Sequence, residues 1–125
     1  MNTNGLFGLT LLSVSTLSFA ATTTIECTYT KYSDPEGLHE TNNDFVLRYL
    51  LDPETNKAYV LGNNGSNEVA IINGSDQVTF VEATGTGNIM TTTITDSKKT
   101  VHSRNTVVFG GELIPSQYYG HCVQK

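Results

Sequence analysis

The side chains best suited to chemistry are three histidines, His39, His102 and His121. In an extended segment His102 and Arg104 share one face, and Ser103 points to the other, which rules out a dyad between His102 and Ser103. If the last two strands form a hairpin, His121 can lie diagonal to His102. No Gly-x-Ser-x-Gly motif is present. We expect these histidines on an outward, solvated face, and we predict no enzyme activity, no metal site and no cofactor.

The chain has two cysteines, Cys27 near the start of the predicted mature protein and Cys122 near its end. A metal site would use closely spaced pairs, which this separation does not provide. We therefore predict a disulfide, which also removes the thiol as a nucleophile. The bridge requires Cα atoms within about 7 Å, so the first and last structured segments must be neighbours.

Residues 1–20 are typical of a secretory signal peptide. Leu6 to Phe19 is an apolar run diluted by Ser and Thr, and the small-x-small pattern at residues 18–20 predicts cleavage after Ala20. The run is too short and too polar for a bilayer core of about 30 Å, so we predict no membrane span. Residues 21–125 then form a single domain in the periplasm or outside the cell, where disulfides persist.

The charge balance limits the classes of partner. Asp and Glu number 12 and Lys and Arg number 7, so the formal net charge is −5. Phosphate binding requires clustered basic charge, which argues against nucleic acid as a partner. An acidic chain is compatible with a cationic protein partner.

The mature chain reads as short β-prone runs separated by turn residues, with no convincing helical period. The predicted strands are 22–32, 45–51, 57–61, 68–72, 77–83, 89–95, 100–109 and 117–124. Residues 33–44 are expected to form a long loop or a single helical turn. Because the cysteines place the first strand beside the eighth, we predict an eight-stranded antiparallel up-and-down barrel of the lipocalin or calycin type. The alternative is a two-sheet β-sandwich. The expected interior residues are Phe45, Leu47, Val60, Phe80, Ile94 and Val107.

The C-terminal sequence resembles a group of small exported bacterial proteins of unknown function. The resemblance lies in residues 91–94, 101–107 and 111–120 and in Cys122. The likeness covers the last third of the chain and implies no mechanism. The plan of a secreted small barrel with cysteines near both ends is similar to periplasmic lysozyme inhibitors of the membrane-bound C-type-inhibitor kind. Their Ser-Gly-x-x-Tyr signature and lipoprotein cysteine are not found in this sequence, so no inhibitory residue is carried over.

In an up-and-down barrel alternate connections emerge at the same end, which groups 33–44, 62–67, 84–88 and 110–116. Long loops are where scaffolds usually carry function. The predicted partner-binding residues combine acids with apolar side chains: Asp34, Glu36, Leu38, Glu40, Asp44, Glu112, Leu113 and Ile114. We predict a monomeric secreted or periplasmic protein that binds a cationic protein, such as an inhibitor of lysozyme. The alternatives are a small-ligand carrier of lipocalin type and a structural protein of the envelope.

Overall fold

The computed structural model describes residues 21–62 and 65–125, which form eight β-strands and no helix. In chain order the strands are β1 (Thr23–Asp34), β2 (Gly37–Asp52), β3 (Lys57–Gly62), β4 (Gly65–Asn73), β5 (Gln77–Ala83), β6 (Ile89–Thr95), β7 (Lys99–Val107) and β8 (Leu113–Gln124). The predicted signal peptide, residues 1–20 with cleavage after Ala20, lies outside the described residues.

The strands form a closed antiparallel barrel in sequence order. Each strand pairs with the next, and β8 returns to pair with β1. Cys27 stands directly opposite Cys122 in that last pair, and the two form a disulfide with Cα atoms 4.0 Å apart. The predicted barrel and disulfide are confirmed, and the β-sandwich alternative is wrong.

The barrel has two different ends. We call the mouth the end that carries the β1–β2, β3–β4, β5–β6 and β7–β8 connections. We call the base the end that carries the turns at 53–56, 74–76 and 96–98 together with the start of β1 and the end of β8. The described residues of the four segments that were expected to share one end therefore lie in the mouth half.

Large apolar and aromatic side chains fill the middle and base of the barrel. Tyr49 and Phe80 stack at its centre with ring centroids 4.5 Å apart, a separation at which aromatic pairs stabilise a core beyond simple burial. The inward positions predicted for Leu47, Val60, Phe80 and Ile94 are confirmed, and Phe45 packs against this core while partly buried. The prediction for Val107 is wrong, because it alternates with inward residues on β7 and is 49% exposed.

The loop predicted at 33–44 is wrong, because β1 and β2 continue through it as a hairpin. The two strands pair over 31–34 and 37–40, and residues 41–44 form a bulge in β2 before pairing resumes at Phe45. Only Pro35 and Glu36 separate the two strands. The Asp34 carboxylate accepts a hydrogen bond from the Glu36 backbone N–H at 2.9 Å, and Gly37 adopts a φ of 125° that side-chain-bearing residues rarely reach. The hairpin has few apolar residues to bury, so its sequence lacks the alternation that identifies a strand.

The last strand also begins earlier than predicted, at Leu113 rather than Gln117. As a result two hairpins project past their neighbours at the mouth. The β2 strand pairs with β3 only from Arg48 onward, and β7 pairs with β6 only as far as Arg104. The mouth therefore has a high wall made of β2, β1, β8 and β7, and a low wall made of β3 to β6.

Candidate functional site

A cavity of about 300 Å³ lies inside the barrel near the mouth. Its apolar lining comes from Phe45, Leu47, Val60 and Met90, and its polar lining from Ser66, Asn67, Glu82, His102 and Arg104, with Gly62 and Gly65 at the low wall. This volume lies at the small end of the range for ligand pockets, which commonly combine an apolar lining with a few fixed polar groups. The barrel interior is thus packed toward the base and hollow toward the mouth.

The expectation of an outward, solvated His102 is wrong. Its side chain faces the interior and is 2% exposed. Arg104 shares that inner face, as predicted, since its Nε lies 3.1 Å from His102 Nε2. His121 is exposed and pairs with Lys99 rather than approaching His102. No cluster of these two histidines forms.

A chain of hydrogen bonds fixes the orientation of His102. Arg104 Nε can only donate, so His102 Nε2 must accept and the neutral ring carries its proton on Nδ1. That Nδ1–H donates to Thr92 Oγ1 at 2.7 Å. Thr92 Oγ1 accepts a second hydrogen bond from the Tyr49 hydroxyl. Thr92 and His102 are both buried, and these hydrogen bonds give each of them polar partners inside the barrel.

The electrostatics of the interior keep His102 uncharged. Burial, together with the positive charge of the neighbouring Arg104 guanidinium, lowers the pKa of His102 to about 3. Burial likewise raises the pKa of Tyr29 to about 12. At neutral pH both groups are neutral, and Arg104 carries the positive charge at the cavity.

Arg104 is held against aromatic rings. Its guanidinium carbon lies 4.8 Å from the ring centroid of Phe45 and 5.1 Å from that of Tyr118, which is the geometry of a cation–π contact. Among residues 21–62 and 65–125, no carboxylate oxygen lies within 4.0 Å of its nitrogens. Arg104 is therefore a half-buried charge that no acidic group of this part of the chain neutralises by contact.

The cavity wall two strands away from Arg104 carries a negative charge. Glu82 is half-buried on β5, and its Oε2 accepts a hydrogen bond from Asn67 Nδ2 at 2.7 Å. In the register of the sheet Glu82 stands beside Met90, which stands beside Arg104. The acidic and basic side chains thus share one layer of the barrel with one strand between them.

The predicted partner-binding residues lie on the two projecting hairpins. Glu36 and Leu38 are exposed at the β1–β2 tip, Glu40 and Asp44 are exposed along β2, and Leu38 is 65% exposed. On the β7–β8 hairpin Glu112, Leu113 and Ile114 are exposed, together with Phe109, which was not predicted. The two hairpins are adjacent because β1 pairs with β8.

Asp34 differs from the other predicted acids because its carboxylate is already engaged. His39 Nε2 donates to Asp34 Oδ1 at 2.8 Å, and this hydrogen bond lowers the pKa of Asp34. Asp34, Glu36 and His39 could each offer a ligand atom, all within 4.8 Å of one another. The hydrogen bond to His39 and the turn at Asp34 account for this approach, so we assign no metal to it.

The cavity residues were not predicted as a site. The alternation of His102 and Arg104 was the available signal, but it did not identify the face. On β7 the face of Val101, Ser103 and Asn105 is more apolar than the face of Thr100 and the two site residues, so the hydrophobic pattern favours the wrong face as the inner one.

No protein-family model matches this chain, and no curated protein or solved structure is significantly similar to it. In the part of the chain that the structure describes, no helix is long and apolar enough to cross a membrane. The disulfide is consistent with an oxidising, extracellular compartment.

Proposed function

We propose that this is an exported protein whose mouth binds a basic protein, most concretely a cationic hydrolase such as lysozyme, and inhibits it. The observation that carries the proposal is the distribution of charge over the barrel. The mouth segments outside the cavity carry one lysine, Lys31, and five acids: Asp34, Glu36, Glu40, Asp44 and Glu112. Four of the five excess negative charges of the chain therefore lie at this end.

The base is balanced by contrast. It carries four acids and four lysines: Asp52, Glu54, Asp76, Asp96, Lys57, Lys98, Lys99 and Lys125. A negative potential confined to one end attracts and orients a basic partner, and raises the association rate in a salt-dependent manner.

Apolar side chains accompany the acids at the mouth. Leu38, Phe109, Leu113 and Ile114 are exposed on the same two hairpins as the acids. An apolar centre with a polar rim is the usual composition of a protein interface. These side chains supply contact area once the charges have brought the partner into place.

Export is part of the proposal. The predicted signal peptide at residues 1–20 and the disulfide support a mature chain that begins at Ala21, folds as one domain and is secreted or periplasmic. The suspected resemblance to lysozyme inhibitors agrees with this role through its architecture alone. We propose a monomer that acts without a cofactor.

The proposal is tested with the exported, disulfide-bonded protein and lysozyme as the probe. We expect a complex at low salt and slower hydrolysis of cell walls by the enzyme. An acidic hydrolase of similar size serves as the control and should neither bind nor be inhibited. Lysozyme activity that is unchanged by a large excess of the protein, with no complex at low salt, would contradict the proposal.

A further inference from the structure

We propose that the mouth cavity binds a small zwitterion of the α-amino acid type, with its carboxylate on Arg104, its ammonium group on Glu82 and its apolar side chain against the apolar lining of the cavity. This goes beyond the proposed protein partner, because it concerns the inside of the barrel rather than its outer rim. Hydrogen bonds hold both side chains in place, and apolar residues line the cavity beside them.

Arg104 is prepared to bind a carboxylate. His102 occupies its Nε, and the rings of Phe45 and Tyr118 lie beside its guanidinium carbon. Within the described residues neither terminal nitrogen of Arg104 makes a hydrogen bond to the protein. A guanidinium presents its donors as a flat fork that matches the two oxygens of a carboxylate. The carboxylate of the ligand would accept hydrogen bonds from the two terminal nitrogens of Arg104.

The support behind Arg104 is rigid. The chain from Tyr49 through Thr92 to His102 is buried, and it allows one tautomer of the imidazole. A neutral His102 offers Nε2 as an acceptor, whereas a protonated ring would repel the guanidinium. Side chains that are locked in this way lose little entropy when a ligand binds, which favours affinity.

Glu82 supplies the opposite pole. Asn67 binds its Oε2, and among the described residues no protein group is hydrogen-bonded to Oε1. Two strand spacings separate the backbones of Glu82 and Arg104, which is roughly 10 Å. Their side chains both line the cavity but form no ion pair within 4.0 Å. A ligand that carries both charges can bridge them.

The surroundings select against other ligands. The acids at the mouth repel a molecule with a net negative charge, and Arg104 repels a purely cationic one. Leu47, Val60 and Met90 provide apolar surface for the body of the ligand. A cavity of about 300 Å³ suits a molecule the size of one amino acid.

The test uses L-phenylalanine as the probe and the exported, disulfide-bonded protein. In two-dimensional NMR titrations we expect saturable shifts at Gly65, Asn67 and Arg104. L-phenylalaninamide, which lacks the carboxylate, and 3-phenylpropionate, which lacks the ammonium group, should each bind at least tenfold more weakly. This series requires no variant, so the folding of a mutant cannot obscure its result.

Two variants test which residue binds the carboxylate of the ligand and which binds its ammonium group. Arg104→Gln should abolish binding of L-phenylalanine and of 3-phenylpropionate. Glu82→Gln should weaken L-phenylalanine and strengthen 3-phenylpropionate at least fivefold. Arg48→Gln, which changes an exposed arginine on the outer face, is the control and should change neither affinity.

The proposal is overturned if L-phenylalanine causes no saturable shift, or if 3-phenylpropionate binds as tightly as L-phenylalanine. It is independent of the proposed protein partner. Glu36→Lys with Glu40→Lys alters the rim alone, so it should leave L-phenylalanine affinity within about twofold whether or not the protein binds lysozyme.

Discussion

At the scale of single residues, the polar interior of this barrel depends on His102 being neutral. Its ring is surrounded by Tyr29 on β1, Phe45 on β2, Tyr118 on β8 and Thr92 on β6. The charged group that faces it is Arg104, on its own strand. Proton uptake by His102 would place two positive charges side by side in a buried setting, which folding must avoid.

This arrangement predicts how stability depends on pH. The pKa of His102 is about 3 in the folded protein and near its ordinary value of 6.5 when unfolded, so the unfolded chain binds a proton first as the pH falls. The free energy of unfolding should therefore decrease from pH 6.5 toward pH 3. Between pH 7 and pH 5 the loss due to His102 is about 2 kcal/mol. Urea unfolding at the two pH values measures it.

The matched variant is His102→Gln, which removes the titrating group and should lose about 2 kcal/mol less over the same interval. NMR provides a check that needs no variant, because the ring signals of His102 in the folded wild type should not titrate between pH 7 and pH 5. A titration midpoint near 6.5 for His102 would show that its ring is solvated, contrary to the structure.

Residue types and spacing predicted the disulfide and most inward positions, because apolar side chains favour burial and the two cysteines of an exported chain favour pairing with each other. They did not predict the face of His102 and Arg104. On β7 the outer face is the more apolar of the two, and the polar residues on the inner face are stabilised by partners on β2 and β6 that no local pattern reveals.

At the scale of elements, the close approach of β8 to β1 depends on Gly120. Gly120 pairs with Tyr29 at the bulge that shifts the β1 register before Lys31. A Cβ at position 120 would overlap the backbone carbonyl oxygen of Thr28. Backbone atoms cannot move aside as a flexible side chain can, so this seam admits glycine alone.

We therefore expect Gly120→Ala to destabilise the barrel by at least about 2 kcal/mol, since the added methyl forces the two strands apart. Gly85→Ala is the control, because a Cβ at Gly85 meets no atom within 4 Å, and its effect should stay within about 0.5 kcal/mol. Thermal or urea unfolding measures the stability of the two variants. Equal stabilities would mean that β1 and β8 are not packed as closely as the structure shows.

Strand number and order followed from turn signals and the cysteine positions, whereas strand lengths at the mouth did not. The hairpin of β1 and β2 extends through Asn42, Asn43 and Asp44, which disfavour strands. The pairing with β1 skips these residues: Glu40 pairs with Lys31 and Phe45 pairs with Tyr29, so residues 41–44 lie in a bulge of β2. Because β3 does not accompany β2 this far, the chain has little apolar surface to bury here and carries no alternating pattern.

At the scale of the whole molecule, the barrel separates its charges along its axis. The acid-rich mouth and the balanced base follow from the topology, because consecutive connections emerge at opposite ends and therefore sort the charged segments between them. The grouping of the mouth segments could be predicted from the sequence for that reason. The cavity could not be predicted, because it lies where the two hairpins of the high wall extend past the strands of the low wall.

The central claim is that the mouth binds a basic protein, and it is tested most directly by the rate of association with lysozyme at low and high salt. Glu36→Lys with Glu40→Lys should slow association at least tenfold at about 20 mM salt, with a smaller difference at about 300 mM salt, because salt screens exposed charges. Two double variants at the base are the controls. Glu54→Lys with Asp96→Lys makes the same change in net charge as the mouth variant, and Lys98→Glu with Lys99→Glu makes the opposite change. Each of these base variants should leave the association rate within about threefold of the wild-type rate. If a base pair alters the rate and the mouth pair does not, the binding surface lies at the other end of the barrel.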